Sequence, residues 1–361
     1  MNQFALWSPR KLTPRSAGGG IDWWSEIWGR SRGRPVGTTA LCHDRPYGWF
    51  LRRLVITLVI MLFLPAGQFR RAQACAPASG EVVDVQNDKI VFYLAAHQDD
   101  WELFRGEQAF ADLQTPNLRV VFIYTTAGDA GRTDGWWEAR EQGAVAAVRC
   151  ALPKSPLKVD IAAFRSHPIL RYTCGNSASY FLRLPDGDIR TGKGYPATGF
   201  QSIEQLRDGN KPVTAVDKST TYSSWQDFCL TLKDILESER TRAGATHPRV
   251  NAGDYDVACD PDDHYDHRAT ADALRSFAGG TYERVWWVGY DSKNRPENLS
   301  AQALENKKTV FLGYGIKVLE QTTLNANPVQ PSEGEWKLWG ARSYYRVVAF
   351  SKSDPTKPDC K

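Results

Sequence analysis

Lys89-Ile90-Val91-Phe92-Tyr93-Leu94 runs into Ala95-Ala96-His97-Gln98-Asp99-Asp100-Trp101-Glu102, and the reading of this stretch decides the fold. The apolar run has the composition of a strand buried on both faces of a parallel sheet, and an open α/β sheet binds its ligands just beyond the carboxyl ends of such strands. One imidazole and two carboxylates therefore emerge where chemistry is expected. Far downstream, Asp260-Pro261-Asp262-Asp263-His264-Tyr265-Asp266-His267 supplies a second polar cluster. A catalytic zinc takes three nitrogen or oxygen ligands, keeps a fourth position open, and works beside a carboxylate that accepts a proton. His97, Asp100 and His267 can provide the ligands, with Asp99 as the base.

At these residues the sequence resembles the PIG-L-like, or LmbE-like, zinc-dependent N-deacetylases. The first motif of that family, Ala-His-Pro-Asp-Asp-Glu, has its counterpart in Ala96 to Trp101, and the second, His-Pro-Asp-His, in His264 to His267. The departures are Gln98 for proline, Trp101 for glutamate and Tyr265 for proline, none of which removes a proposed ligand. Trp101 is expected to alter the pocket floor. The resemblance implies His97, Asp100 and His267 on the metal, Asp99 as general base, and His264 beside the oxyanion or leaving group. Asp266 could orient an imidazole from behind.

Between the motifs, Leu118 to Tyr124 reads as a second strand leading into Thr125-Thr126-Ala127-Gly128-Asp129-Ala130-Gly131. This loop resembles the family's glycine and acid loop, with Asp129 in place of glutamate, and so borders the substrate. Arg140, read as opening the next helix, is a candidate for gripping a substrate hydroxyl or phosphate. Residues 167 to 184 form a hairpin around the turn dipeptide Gly175-Asn176. Its end, Arg183-Leu184-Pro185-Asp186-Gly187, resembles a stretch in secreted members of the family. His167 reads as structural. Residues 190 to 220, rich in Gly, Lys, Thr and Pro, read as a long surface excursion beside the site.

Ser224 caps a helix whose apolar stripe is Trp225, Phe228, Leu232, Ile235 and Leu236. A helix over Ala269 to Phe277 would put His267 at its start. Tyr282 to Tyr290 reads as a strand, Ser300 to Gln321 as a helix, and Trp336, Trp339, Tyr344 and Tyr345 as aromatic packing over the sheet. A calcium loop over Asp260 to Asp263 lacks the glycine and terminal glutamate of an EF-hand, and two histidines suit zinc better.

The net charge of +4 belongs to the leader: residues 1 to 74 hold 11 Lys and Arg against 3 Asp and Glu, leaving 34 basic against 38 acidic residues afterwards. That argues against a nucleic-acid partner. Arg52-Arg53 precede the apolar run Leu54 to Leu64, shorter than the roughly 20 residues of a membrane span, and Ala72-Gln73-Ala74 follows as a cleavage signal. Residues 51 to 74 thus read as a signal peptide, and 1 to 50 as a disordered segment or a start assigned too far upstream. Residues 75 to 361 read as one deacetylase domain with a C-terminal extension. Export to the periplasm or exterior follows, with membrane contact only through the leader or a lipid on Cys75. Six cysteines remain beyond the leader, Cys75, Cys150, Cys174, Cys229, Cys259 and Cys360. An oxidising compartment permits Cys75–Cys360 and Cys150–Cys174 disulfides.

The expected protein is a three-layer, Rossmann-like α/β hydrolase with a mostly parallel sheet, an added hairpin and long loops. It would use Zn2+ or another divalent metal to remove an N-acyl group, most simply acetyl, from an amino sugar or glycoconjugate. The competing readings are another metal-dependent hydrolase such as a phosphoesterase, and a non-catalytic carbohydrate-binding protein on the same fold.

Overall fold

The first strand, β1 (Ile90–Ala95), lies at the centre of an eight-stranded sheet. The computed structural model describes residues 89–329 and 333–354; the leader, Cys75 and Cys360 lie outside them. Every residue of β1 is buried, as its uninterrupted apolar sequence requires of a strand covered on both faces. It pairs in parallel with β2 (Arg119–Thr126) on one side and β8 (Arg249–Gly253) on the other. Further parallel pairs join β2 to β5 (Ser177–Leu184) and β8 to β9 (Glu283–Trp287). Antiparallel strands complete both edges: β10 (Tyr345–Val348) beside β9, and β4 (His167–Cys174) then β3 (Leu157–Phe164) beyond β5.

Alternate residues of β1 serve two cores. Ile90, Phe92 and Leu94 pack with Phe228, Leu232 and Leu236 of α5 (Trp225–Ala243) and with Leu274 of α6 (Tyr265–Ala278). Val91, Tyr93 and Ala95 face the other side. There they meet α1 (Asp100–Phe104), α2 (Gly106–Gln114), α3 (Trp136–Ala151) and α7 (Ala301–Leu324). The expected three-layer α/β architecture is therefore present. No helix among the described residues is long and apolar enough to cross a membrane.

Several local expectations need correction. Residues 190 to 220 are not a bare surface excursion: they contain α4 (Ile203–Gly209) and β6 (Val213–Thr214), which pairs in a short ribbon with β7 (Thr221–Tyr222) just beyond them. Ile203, Leu206, Val213 and Tyr222 are fully buried, and these four apolar anchors, spaced among polar residues, hold the segment against the sheet. Arg140 does not open its helix; α3 begins four residues earlier at Trp136, after left-handed Gly135. Cys174 is a free, buried thiol, so the Cys150–Cys174 disulfide is not formed, whereas Cys259 is disulfide-bonded. The 167–184 hairpin is present, but β3 adds a third strand to it. His167 is structural, stacked on Tyr222 and bonded to Thr220 at 2.6 Å.

Candidate metal centre

The two polar clusters meet because β1 and β8 are neighbours and both run toward the same sheet edge. Asp99 is the cap residue of α1 and Asp100 its first helical residue. One oxygen of Asp100, Oδ2, accepts the backbone N–H groups of Ala96 (2.9 Å) and His97 (2.8 Å), which folds the loop over the strand end. Gln98 ties that loop to β2 through Thr126 O at 2.8 Å. On the opposite side His264 caps α6, its Nδ1 accepting the Asp266 N–H at 3.1 Å, and His267 follows in the first turn.

Three atoms converge there. His97 Nδ1 lies 3.1 Å from His267 Nε2, His267 Nε2 lies 3.1 Å from Asp100 Oδ1, and His97 Nδ1 lies 3.4 Å from Asp100 Oδ1. The far nitrogen of each imidazole faces a carboxylate: His97 Nε2 meets Asp266 Oδ2 at 3.1 Å, and His267 Nδ1 meets Asp263 Oδ1 at 2.7 Å. An ionised carboxylate only accepts, so in neutral imidazoles those far nitrogens carry the hydrogens. The near nitrogens must then both present lone pairs to each other and to Asp100. Three converging lone pairs repel unless a cation lies among them. A four-coordinate zinc with bonds of about 2.0–2.2 Å separates its ligand atoms by about 3.3 Å, the size of this triangle. The donor set fits a divalent metal, with carboxylates bracing both histidines as metal-bound histidines are usually braced.

The same field acts on protons. Burial pushes both imidazoles down, but at His97 the Asp100 and Asp186 carboxylates outweigh it and hold the ring well above its usual range. At His267, Asp100 and Asp263 outweigh burial and push the ring up to about 10. His264 moves the other way, held well below the usual range by burial and by its neighbour His97. A neutral His264 whose Nδ1 accepts a backbone N–H must carry its hydrogen on Nε2, so it is a donor beside the triangle.

Asp99 immediately precedes the ligand Asp100 at the cap of α1, and its carboxylate is paired with Arg140 Nη2. Arg140 is itself buried, donating from Nε to Tyr314 Oη at 3.0 Å and from Nη1 to Gly128 O at 3.0 Å. Each guanidinium nitrogen thus makes one bond within the protein, one of them to Asp99, and two of its five N–H groups carry no protein bond among the described residues. Asp129 also faces inward: Oδ1 accepts the Asp186 N–H at 2.8 Å and Oδ2 the Gly131 N–H at 2.9 Å. It clamps one loop to another, and burial with the nearby Asp186 charge pushes it up to about 7. Trp101 does not form the pocket floor. It is fully buried, donates to Tyr124 Oη at 2.8 Å and packs on Phe122.

Sequence reasoning gave no site role to Asp186 or Asp263. Asp186, at the end of the Arg183 to Gly187 stretch, accepts the Ala130 N–H and turns Oδ1 toward His97 Nε2 (3.4 Å) and His264 Nε2 (3.9 Å). His97, Asp186, His264 and Asp266 thus form a second compact group, but hydrogens on both Nε2 atoms point into it. It is a hydrogen-bonding group rather than a second cation site. Aromatic side chains wall the other flank. Tyr290 lies 5.4 Å from the His267 ring and stacks on Trp339 of α8 (Glu333–Trp339), so the C-terminal extension reaches the site.

No family model and no characterised protein sequence matches the chain. Solved structures show a distant likeness. A teicoplanin deacetylase in a zinc-inhibited form is 12% identical over 62% of this chain and 83% of its own, with a TM-score of 0.35. N,N'-diacetylchitobiose deacetylase from Pyrococcus horikoshii, bound to an inhibitor, is 14% identical over 85% and 95%, with a TM-score of 0.41. A conserved protein from Thermus thermophilus is 15% identical over 72% and 94%, with a TM-score of 0.31. At scores this low nothing about activity passes from those proteins to this chain.

Proposed function

We propose that this protein is a metal-dependent hydrolase that removes an N-acyl group, most simply acetyl, from an amino sugar or glycoconjugate. The observation that carries the reading is the triangle of His97 Nδ1, Asp100 Oδ1 and His267 Nε2, three donor atoms within 3.4 Å of one another. These three residues would hold the metal, zinc by preference for two imidazoles and one carboxylate. When bound, such an ion supplies Lewis acidity, polarising an acyl carbonyl and making water nucleophilic near neutral pH.

The remaining work falls to side chains. Asp99 accepts the proton of the attacking water, and Arg140 fixes its direction. His264 offers Nε2–H to the oxygen that gains charge as the carbonyl becomes tetrahedral. The proton held on Asp99 then passes to the departing amine, completing hydrolysis. Tyr290 and Trp339 give the site an aromatic flank on which a sugar ring can stack. Export through the leader belongs to the same reading, and the disulfide at Cys259 favours it.

Metal content of the purified protein, measured beside hydrolysis of an N-acetylated sugar and of a generic phosphate ester, tests the proposal. About one zinc per chain with release of acetate supports it. Phosphate release alone would make the protein a phosphoesterase. A bound metal with neither product would leave a binding protein.

A further inference from the structure

The outer edge of β3 is open among the described residues. β3 is the last strand of the sheet, and its only strand partner there is β4. Such edges invite pairing with another chain, and proteins blunt them with charges such as Lys158 and Asp160 here, or more firmly with a proline within the strand, a bulge or a very short strand. β3 shows none of the firmer devices. It runs for eight residues, Leu157 to Phe164, without proline, and its register against β4 is continuous from Leu157–Cys174 to Phe164–His167. It also carries apolar side chains into solvent on one face: Leu157 is 39% exposed, Val159 60% and Ile161 61%. Alternation along a strand puts these three in one row.

We propose that this edge is the interface of a symmetric dimer, in which β3 pairs antiparallel with β3 of a second copy. A two-fold axis perpendicular to a continuous sheet sets residues of like face opposite each other, so the axis must pass through a residue. Charge selects which one. An axis at Lys158 opposes two lysines, and an axis at Asp160 opposes two aspartates. An axis at Leu157 sets Lys158 against Pro156, which has no N–H for the ladder. With the axis at Val159, Lys158 faces the partner's Asp160 twice, Leu157 faces the partner's Ile161 twice, and Val159 meets its own copy. Opposite charges and apolar pairs are both stabilising directly across an antiparallel ladder. Asp160 already accepts Arg171 through both oxygens, at 2.8 and 2.6 Å, yet its side chain remains half exposed, so a second cation can reach it. The self-complementary pattern fits a second copy of this chain better than an unrelated partner.

Sedimentation of the full chain across a range of concentrations should show a monomer–dimer equilibrium, and amide exchange over residues 157–163 should slow as the dimer fills. Lys158→Glu alone should give monomer, because it sets two acids opposite each other, and Asp160→Lys alone should give monomer by opposing two bases. Mixing the two variants should restore a heterodimer, since each then offers the charge that the other lacks. That rescue also shows that both variants fold. A chain that stays monomeric at millimolar concentration overturns the proposal. So does a dimer that survives Lys158→Glu, or a dimer whose β3 amides exchange as fast as those of the monomer.

Discussion

Arg140 is paired with Asp99 across 41 positions of sequence, joining the second turn of α3 to the cap of α1 beside the ligand triangle. Because Tyr314 Oη and Gly128 O take the other guanidinium nitrogens, the pair has one geometry and no slack. The arrangement separates two kinds of variant. Asp99→Asn removes the proton acceptor and should lower kcat by about 10²–10⁴-fold while leaving metal content unchanged. Arg140→Gln leaves the carboxylate but frees it to turn, and should cost on the order of 10²-fold in kcat with little change in KM. Were Arg140 a substrate grip instead, steady-state kinetics would show the loss in KM.

The braces behind the histidines should act on metal affinity. His267→Ala removes a ligand and should empty the site, as dialysis against a chelator followed by metal analysis will report. Asp263→Asn keeps the ligand but weakens its brace at His267 Nδ1, and should lower affinity by about 10–100-fold without abolishing binding. Equal affinity in the Asp263→Asn and unaltered proteins would remove Asp263 from the site.

What could be read from the sequence was what lies close in sequence. The apolar run of β1, the polar cluster that follows it and the helix that carries His267 are each set within a few residues. The meeting of His97 with His267, 170 positions apart, was inferred because two motifs each lacked what the other held. Asp186 was invisible as a site residue because its place depends on Asp129 gripping its backbone from a different loop. The hold of Arg140 on Asp99 was hidden for a similar reason: its other partners come from a loop and from α7, and only folding brings them together. β3 escaped notice because its apolar–polar alternation, clear from Leu157 to Ile161, lapses at Ala162-Ala163-Phe164 and spans too few residues to stand out.

Beneath the site, the buried pair of Asp112 with Arg249 at 3.0 Å couples α2 to β8, and Tyr93 Oη donates to the same carboxylate at 2.5 Å. Neither side chain of the ion pair reaches solvent. Asp112→Ala strands a buried guanidinium and should destabilise the fold by about 3–5 kcal/mol. Replacing both partners together, Asp112→Leu with Arg249→Met, should recover most of that loss, because no unpaired charge remains. Urea unfolding of the two single variants and the double variant measures the difference. Additive losses would mean that the pair does not act as a unit.

The C-terminal extension is fastened by Lys307 of α7, fully buried, whose ammonium donates to Trp339 O at 3.0 Å and Arg342 O at 2.5 Å. Burial is the main cause that lowers its pKa to about 8, from an ordinary 10.5. Below pH 8 the lysine is charged in both folded and unfolded chains, and stability carries the whole cost of burying that charge. Between about 8 and 10.5 the unfolded chain binds more protons than the folded one, so this group makes stability rise with pH. The rise is on the order of 3 kcal/mol if the whole shift is expressed. Lys307→Met should abolish it, so the stability difference between the two proteins should change across pH 8 to 10 and be flat below pH 7. Urea midpoints at several pH values give that difference directly. Parallel curves for the two proteins would show that Lys307 stays charged in the fold throughout, held by its two carbonyl acceptors.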